Sequence, residues 1–458
     1  MYLYFIGLFV YCAVLVLIGV LLAKKNPDFD AYFYGKRKLG SFLIFFTVTA
    51  SWFGAASTIA TVNAAYKTGF NAVWLLGIPT IITITVFIII NKKIRETRFI
   101  SLPVLLEKYY GKIVSSFASF LIFFYMVLLA ASQLVAWGKF VGNFTGQNYQ
   151  TAVISGAVVV IIYSYLGGYL SVVFTDGLQF LLLTLSLIYL MVFFKDTTPL
   201  FKPTDFDFFA DSHHNILMTV SFTLAWVISP IIWQRLASAR SAKISRRGLL
   251  VSIAAFSILY FWVIRVGIYL RSISAATAGT KGGDIFAFVI KNWLPAGGSL
   301  LVFLGIAAAI MSTTDTAVNV GALTLVKDVF KIKRKSKTVV YAKIATFISG
   351  TLAVLIALKF NSIIKTLGLA SEIMAEGLFI PGMYLLFFKK KRPLAALLSL
   401  VMGGGFSLLV FINAYGLALP LPQWPYSLPY GLGLSLLGFI TGWLFDKKKP
   451  GESIVVKR

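Results

Sequence analysis

Residues 49–66 read TASWFGAASTIATVNAAY. The stretch is as uncharged as a membrane helix, yet Gly54 and a crowd of Ala, Ser and Thr stand where such a helix usually carries Leu. Small residues let backbones approach closely, and hydroxyls can serve as oxygen ligands or simply pack helices. Working outward, the stretch lies inside one apolar span of a chain that is 59% hydrophobic and 13% charged. A soluble protein carries about 25% charged residues, so this composition requires lipid as its solvent.

A bilayer core of about 30 Å takes about twenty apolar residues per helix. Such stretches fall at 2–22, 41–65, 71–91, 113–138, 149–166, 171–194, 215–234, 248–270, 296–326, 339–358, 362–388, 393–414 and 428–445. The fold class expected is an all-α polytopic membrane protein with about thirteen transmembrane helices. The first span has no small-residue cleavage site after it, and Lys24 and Lys25 follow it rather than precede it, so it reads as a retained helix.

Lys and Arg accumulate in short cytoplasmic loops. Alternate loops together with the C-terminal tail hold 32 of the 42 basic residues, which predicts an outer N-terminus and an inner C-terminus in a cytoplasmic membrane. The net charge of +26 is then an orientation signal and an attraction to anionic lipid, not a nucleic-acid footprint. Cys12 lies in an apolar span and has no cysteine to pair with, while the adjacent His213 and His214 in a polar outer loop make a poor metal set.

Setting aside residues 1–40 (a peripheral first helix and a cytoplasmic loop) and 391–458 (two peripheral helices and a basic tail) leaves ten helices. They divide into 41–200 and 201–390, five and five, the arithmetic of an inverted-topology repeat. In such transporters the first helix of each half is interrupted. The second half opens with Pro230 inside FTLAWVISPIIWQR, and the first with the Gly54 stretch.

Of the sixteen acidic residues, only Asp176, Asp315, Glu372 and Glu376 fall within or at the edge of a span. A carboxylate there costs at least about 2.5 kcal/mol unless it meets a partner or a water-filled cavity, which makes each a functional candidate. Asp176 closely follows Gly167 and Gly168, so it also reads as a helix N-terminal carboxylate bonded by backbone N–H groups. In AAIMSTTD, Ser312, Thr313 and Asp315 follow Ala309; the hydroxyls either ligate a hard cation or bond back to their own helix. Glu372 and Glu376 lie four apart on one helix face, placed either toward a solute cavity or beside Lys365.

Several segments resemble the sodium:solute symporter family, which shares the leucine-transporter-like fold. They are AYFYGKRKLGS at 31–41, YLGGYLSVVFTDGLQ at 165–179, SPIIWQRLASARSAK at 229–243 and AAIMSTTD at 308–315. The match runs over roughly 30–390, in order, and the Thr-Asp-xx-Gln motif is its most specific part. The resemblance implies a coupling Na+ held by the carbonyls of Ala50, Phe53 and Ala309 and the hydroxyls of Ser312 and Thr313. It maps an auxiliary acid onto Asp176, with Asp315 beside it on the ion path.

For the solute, Ala55, Ala56 and Ser57 stand where the family's sugar branch has a Glu, so an amino acid, amine or carboxylate is expected before a sugar. Trp52 resembles a cage aromatic of the choline-like branch, but Leu129 and Ser229 depart from its pattern. The cavity is expected to involve Trp52, Ser57, the tryptophan after Ala225 (Trp226), Gln234, Glu372 and Glu376. The reading is thus a sodium-coupled symporter working by alternating access. A proton-coupled carrier using Asp176 or Asp315 is the nearest alternative. An intramembrane enzyme is disfavoured, since no His lies in a span and no phosphate-cradling loop or nucleophile elbow is present. The tail beyond Asp446 is too short for the output domain a sensor would need.

Overall fold

A computed structural model describes residues 2–23, 39–96, 101–199, 201–274, 285–332, 338–360, 362–417 and 419–446. Residues 31–38 of the tyrosine-rich loop and the basic tail after 446 lie outside the described residues. Lipid offers no hydrogen bonds, so a spanning chain satisfies its backbone within helices. Among the described residues the one departure is an isolated bridge between Leu39 and Ala239.

The elements run α1 (Tyr2–Ala23), α2 (Ser41–Trp52), a π-turn (Ala56–Ala60), α3 (Thr61–Thr68), α4 (Val73–Glu96), α5 (Leu102–Tyr110) and α6 (Lys112–Thr145). Next come α7 (Tyr149–Phe193), α8 (Ser212–Val227), α9 (Pro230–Ser238), α10 (Ala242–Ser274), α11 (Ile285–Trp293) and α12 (Ala296–Leu323). The chain closes with α13 (Thr338–Ala357), α14 (Ile363–Phe388), α15 (Pro393–Ser399), a π-turn (Leu400–Gly404), α16 (Gly405–Ile412) and α17 (Leu428–Phe445). Local chemistry sets several ends. Asn148 caps α7 by accepting from the Thr151 N–H at 2.8 Å, and α6 stops at Gly146, whose φ of 71° is left-handed.

Eleven segments are long and apolar enough to cross a membrane, fewer than the thirteen spans expected. The difference falls in two places. Residues 56–96 count as one run while α2 alone is short, and α14, with Glu372 and Glu376, is not among the eleven. The expected gap between spans at 149–166 and 171–194 is a hinge instead, with Gly168 at φ 57° and ψ −157° inside α7. That backbone region is open almost solely to glycine.

Both helices expected to be interrupted are broken. α2 ends at Trp52 and Phe53 leaves the helical region at φ −91°, ψ 63°. α8 ends at Val227, Ser229 turns to ψ 122°, and Pro230 starts α9 at a position where its missing N–H costs nothing. α6 and α12 form the interior, while α1 keeps Ile6, Phe9, Leu17 and Leu21 exposed and rests its other face on the bundle. There Tyr4 bonds Ser299 at 2.7 Å, and Gln179 donates to the Tyr11 hydroxyl at 2.9 Å.

Candidate functional site

At the break after α2 the chain needs a residue with no side chain. A Cβ on Gly54 would overlap Thr313 Oγ1 of α12 and Gln133 Oε1 of α6. The N–H of Ala55 donates to Gln133 Oε1 at 2.9 Å instead of to its own helix. One turn earlier, Ser51 and Thr316 share a hydrogen bond of 2.9 Å. The 50–54 and 309–316 segments therefore meet side by side in the interior. Thr313 Oγ1 bonds back to the Ala309 carbonyl at 3.4 Å, a long contact that leaves the hydroxyl facing Gly54.

Beside this junction lies a fully buried polar cluster. Asp176 accepts from Thr47 at 2.6 Å and from Ser51 at 3.1 Å on Oδ2, and from Ser312 at 2.5 Å on Oδ1. These are side-chain hydroxyls, not the backbone N–H groups of a helix start, and Asp176 sits two turns beyond the Gly168 hinge. Arg235 Nη2 stands 3.7 Å from Asp176 and donates to Ser51 and Thr316, each at 2.8 Å. A buried pair of this kind holds its place only when its remaining donors and acceptors are also met. Asp315 accepts from Tyr163 at 2.6 Å on one oxygen, and its other oxygen has no hydrogen-bond partner.

Arg235 corrects the reading of the basic loops. It counts among the cytoplasmic Lys and Arg in the sequence, yet it is 0% exposed, because Asp176 and three oxygen acceptors compensate its charge in the interior. Thr47, Ser51, Thr316 and Gln133 are also participants that the sequence reading assigns no role. Gln133 lies in a long apolar helix with no motif around it, and an uncharged amide in a membrane span is the only signal it offers.

A cavity opens on the junction, lined among others by Trp52, Ser57, Tyr125, Gln133, Trp226 and Thr313. Trp52 and Trp226 meet edge to face at 5.3 Å, and Ser57 bonds the Tyr260 hydroxyl at 2.8 Å. Three residues expected at the cavity do not line it. Gln234 accepts from Arg235 at 3.0 Å, and Glu372 and Glu376 point to the other side of α14, against α17. The face of a helix is readable from spacing, but not which neighbour that face meets. A larger cavity of about 1060 Å³ lies next to this one, lined among others by Asn63, Lys67, Lys139, Asn143 and Gln147. Among the described residues no group of three His, Cys, Asp or Glu could hold a metal ion, and the oxygen atoms of the junction suit a hard monovalent cation instead.

Comparison with known proteins agrees with this architecture. The chain matches the sodium:solute symporter family over residues 32–403. The sodium/proline symporter of Staphylococcus aureus is 23% identical over 394 residues, covering 79% of this chain and 76% of that one. A Na+-coupled sialic acid symporter, solved substrate-bound and outward-open, superposes with a TM-score of 0.78 at 21% identity, covering 97% and 98% of the two chains. MhsT in complex with L-phenylalanine shares the fold more distantly, with a TM-score of 0.56 at 14% identity over 88% of this chain and 98% of that one. With the family matched across most of its length, the chain belongs to the sodium:solute symporters, membrane carriers that couple the movement of a small organic solute to Na+.

Proposed function

We propose that the coupling Na+ is held where α2 breaks against α12, by the carbonyls of Ala50, Phe53 and Ala309 and the hydroxyls of Ser312 and Thr313. The observation that carries this reading is the contact of Gly54 with Thr313, which brings the end of a broken helix against two adjacent hydroxyls. A helix end presents carbonyls that have lost their intrahelical partners, and Na+ takes oxygen ligands. Asp176, bonded to Ser312, and Asp315, three residues on, lie on the ion's path. The halves 41–200 and 201–390 rock about this junction, with the N-terminus outside and the C-terminus inside.

The solute occupies the cavity beside the junction, and its class is a small carboxylate, zwitterionic amino acids included. No Asp or Glu lines that cavity among the described residues, so an amine has no counter-ion there. The N-terminal end of α9 faces it through Ser229 and Ile231, and helix N-termini favour anions. Lys67 and Lys139 line the wider cavity above and draw anions toward it. Trp52, Tyr125 and Trp226 suit an apolar solute body.

Sodium-driven uptake into proteoliposomes, screened across amino acids, monocarboxylates, amines and sugars, tests the solute class. Transport of a carboxylate is expected, and a protein that carries only amines or sugars refutes the class. Ser312→Ala and Thr313→Ala are each expected to raise the sodium concentration for half-maximal uptake, about tenfold. Unchanged sodium dependence in both removes these hydroxyls from the ion site.

A further inference from the structure

Far from this junction, α14 buries two carboxylates that the symport reading leaves unused. Glu372 and Glu376 are both 0% exposed and stand one helical turn apart on the same face. Ser427, at the start of α17, donates to Glu372 Oε1 at 2.5 Å. Glycines let the neighbouring backbone close in. A Cβ on Gly431 would overlap the Glu376 carboxylate, and one on Gly403, in the π-turn at 400–404, would overlap the Glu376 carbonyl.

The other three carboxylate oxygens, Glu372 Oε2 and both of Glu376, have no hydrogen-bond partner. Among the described residues neither glutamate forms an ion pair. The facing segments, 393–412 and 428–445, contain no Lys, Arg or His at all. Two carboxylates in a dry interior cannot both be left without countercharge. The cluster offers only oxygen, which selects a hard cation. Mg2+ retains several waters and Ca2+ takes six to eight oxygens, more than three carboxylate oxygens and a hydroxyl supply.

We propose that Glu372, Glu376 and Ser427 form a second sodium-binding site, between α14, α17 and the 400–404 turn. It shares no residue with the α2–α12 junction. Leu367 of the same helix lines the solute cavity, so an ion here fixes the helix that forms one cavity wall.

The test is equilibrium binding of radioactive Na+ to the purified full-length protein. The wild type is expected to bind one more sodium ion per chain at saturation than Glu372→Gln or Glu376→Gln. Ser312→Ala, which acts at the junction, is expected to leave this second ion bound. That separates failure of one site from failure of the other. Should both glutamine variants bind as much sodium as the wild type, the proposal is overturned; a pair that holds only a proton gives that result. Where the glutamine variants do not fold, Ser427→Ala keeps both carboxylates and is expected to weaken this sodium about tenfold. A binding curve unchanged by Ser427→Ala then overturns the proposal.

Discussion

Asp176 illustrates how one buried charge is shared among four helices. Its carboxylate collects hydroxyls from α2 and α12 and faces the guanidinium of α9. Charge-assisted bonds of this kind are stronger than neutral ones, so the cluster ties together the segments that must part or close during transport. Asp176→Asn keeps the shape but leaves Arg235 without its counter-ion. The expected outcome is a folded carrier whose sodium concentration for half-maximal uptake rises about tenfold or more. A variant with reduced thermal stability and unaltered sodium dependence would reduce Asp176 to a counter-ion for Arg235. Gly54→Ala tests the adjoining contact: its new Cβ has to displace Thr313 and Gln133, and such overpacking typically costs about 1–3 kcal/mol. Sodium-driven uptake should fall sharply while the protein still inserts, as read by uptake normalised to folded protein.

At the scale of the element, the broken helices were the most legible feature of the chain. Pro230 and the small residues around Gly54 announce them, because a helix without an N–H or without side chains yields where its neighbours press. What the sequence could not announce is who holds the far ends. Arg271 of α10 donates to the Ala65 carbonyl at 3.0 Å, to the Tyr66 carbonyl and to both oxygens of Asp205. It thereby clamps the end of α3 to the loop at 203–206. Asn71 extends the clamp through bonds to the carbonyls of Asp207, Phe208 and Ala210. These partners lie more than a hundred residues apart and carry no common motif, so periodicity is silent about them. Removing one side of a buried pair costs about 3–5 kcal/mol. Arg271→Ala is therefore expected to lower the thermal stability of the purified protein markedly, and an unshifted melting transition would show that the clamp contributes little.

Across the whole molecule, the sequence resolves what lipid imposes and loses what the fold brings together. Apolar runs mark the spans, and the AAIMSTTD and TASWFG segments mark the two sides of the junction. Yet Glu372 and Glu376, legible as buried acids, turned out to face α17 and not the solute, since no local pattern states which helix will pack against them. The proposed solute class has a consequence only the intact carrier in a sealed membrane can show. Moving one elementary charge through 100 mV is worth about 2.3 kcal/mol, and a tenfold sodium gradient about 1.4 kcal/mol. A zwitterionic amino acid travelling with one Na+ carries net positive charge and uses both terms, so accumulation can reach about 500-fold. A monoanionic carboxylate with one Na+ moves no net charge, uses only the gradient, and stops near about tenfold. Accumulation in proteoliposomes, measured with and without an imposed potential at fixed sodium gradient, separates the two. With one transported Na+, voltage-dependent accumulation selects the zwitterion, and a voltage-independent ratio selects the anion. A ratio well above about 500-fold requires a second sodium ion to cross with each solute.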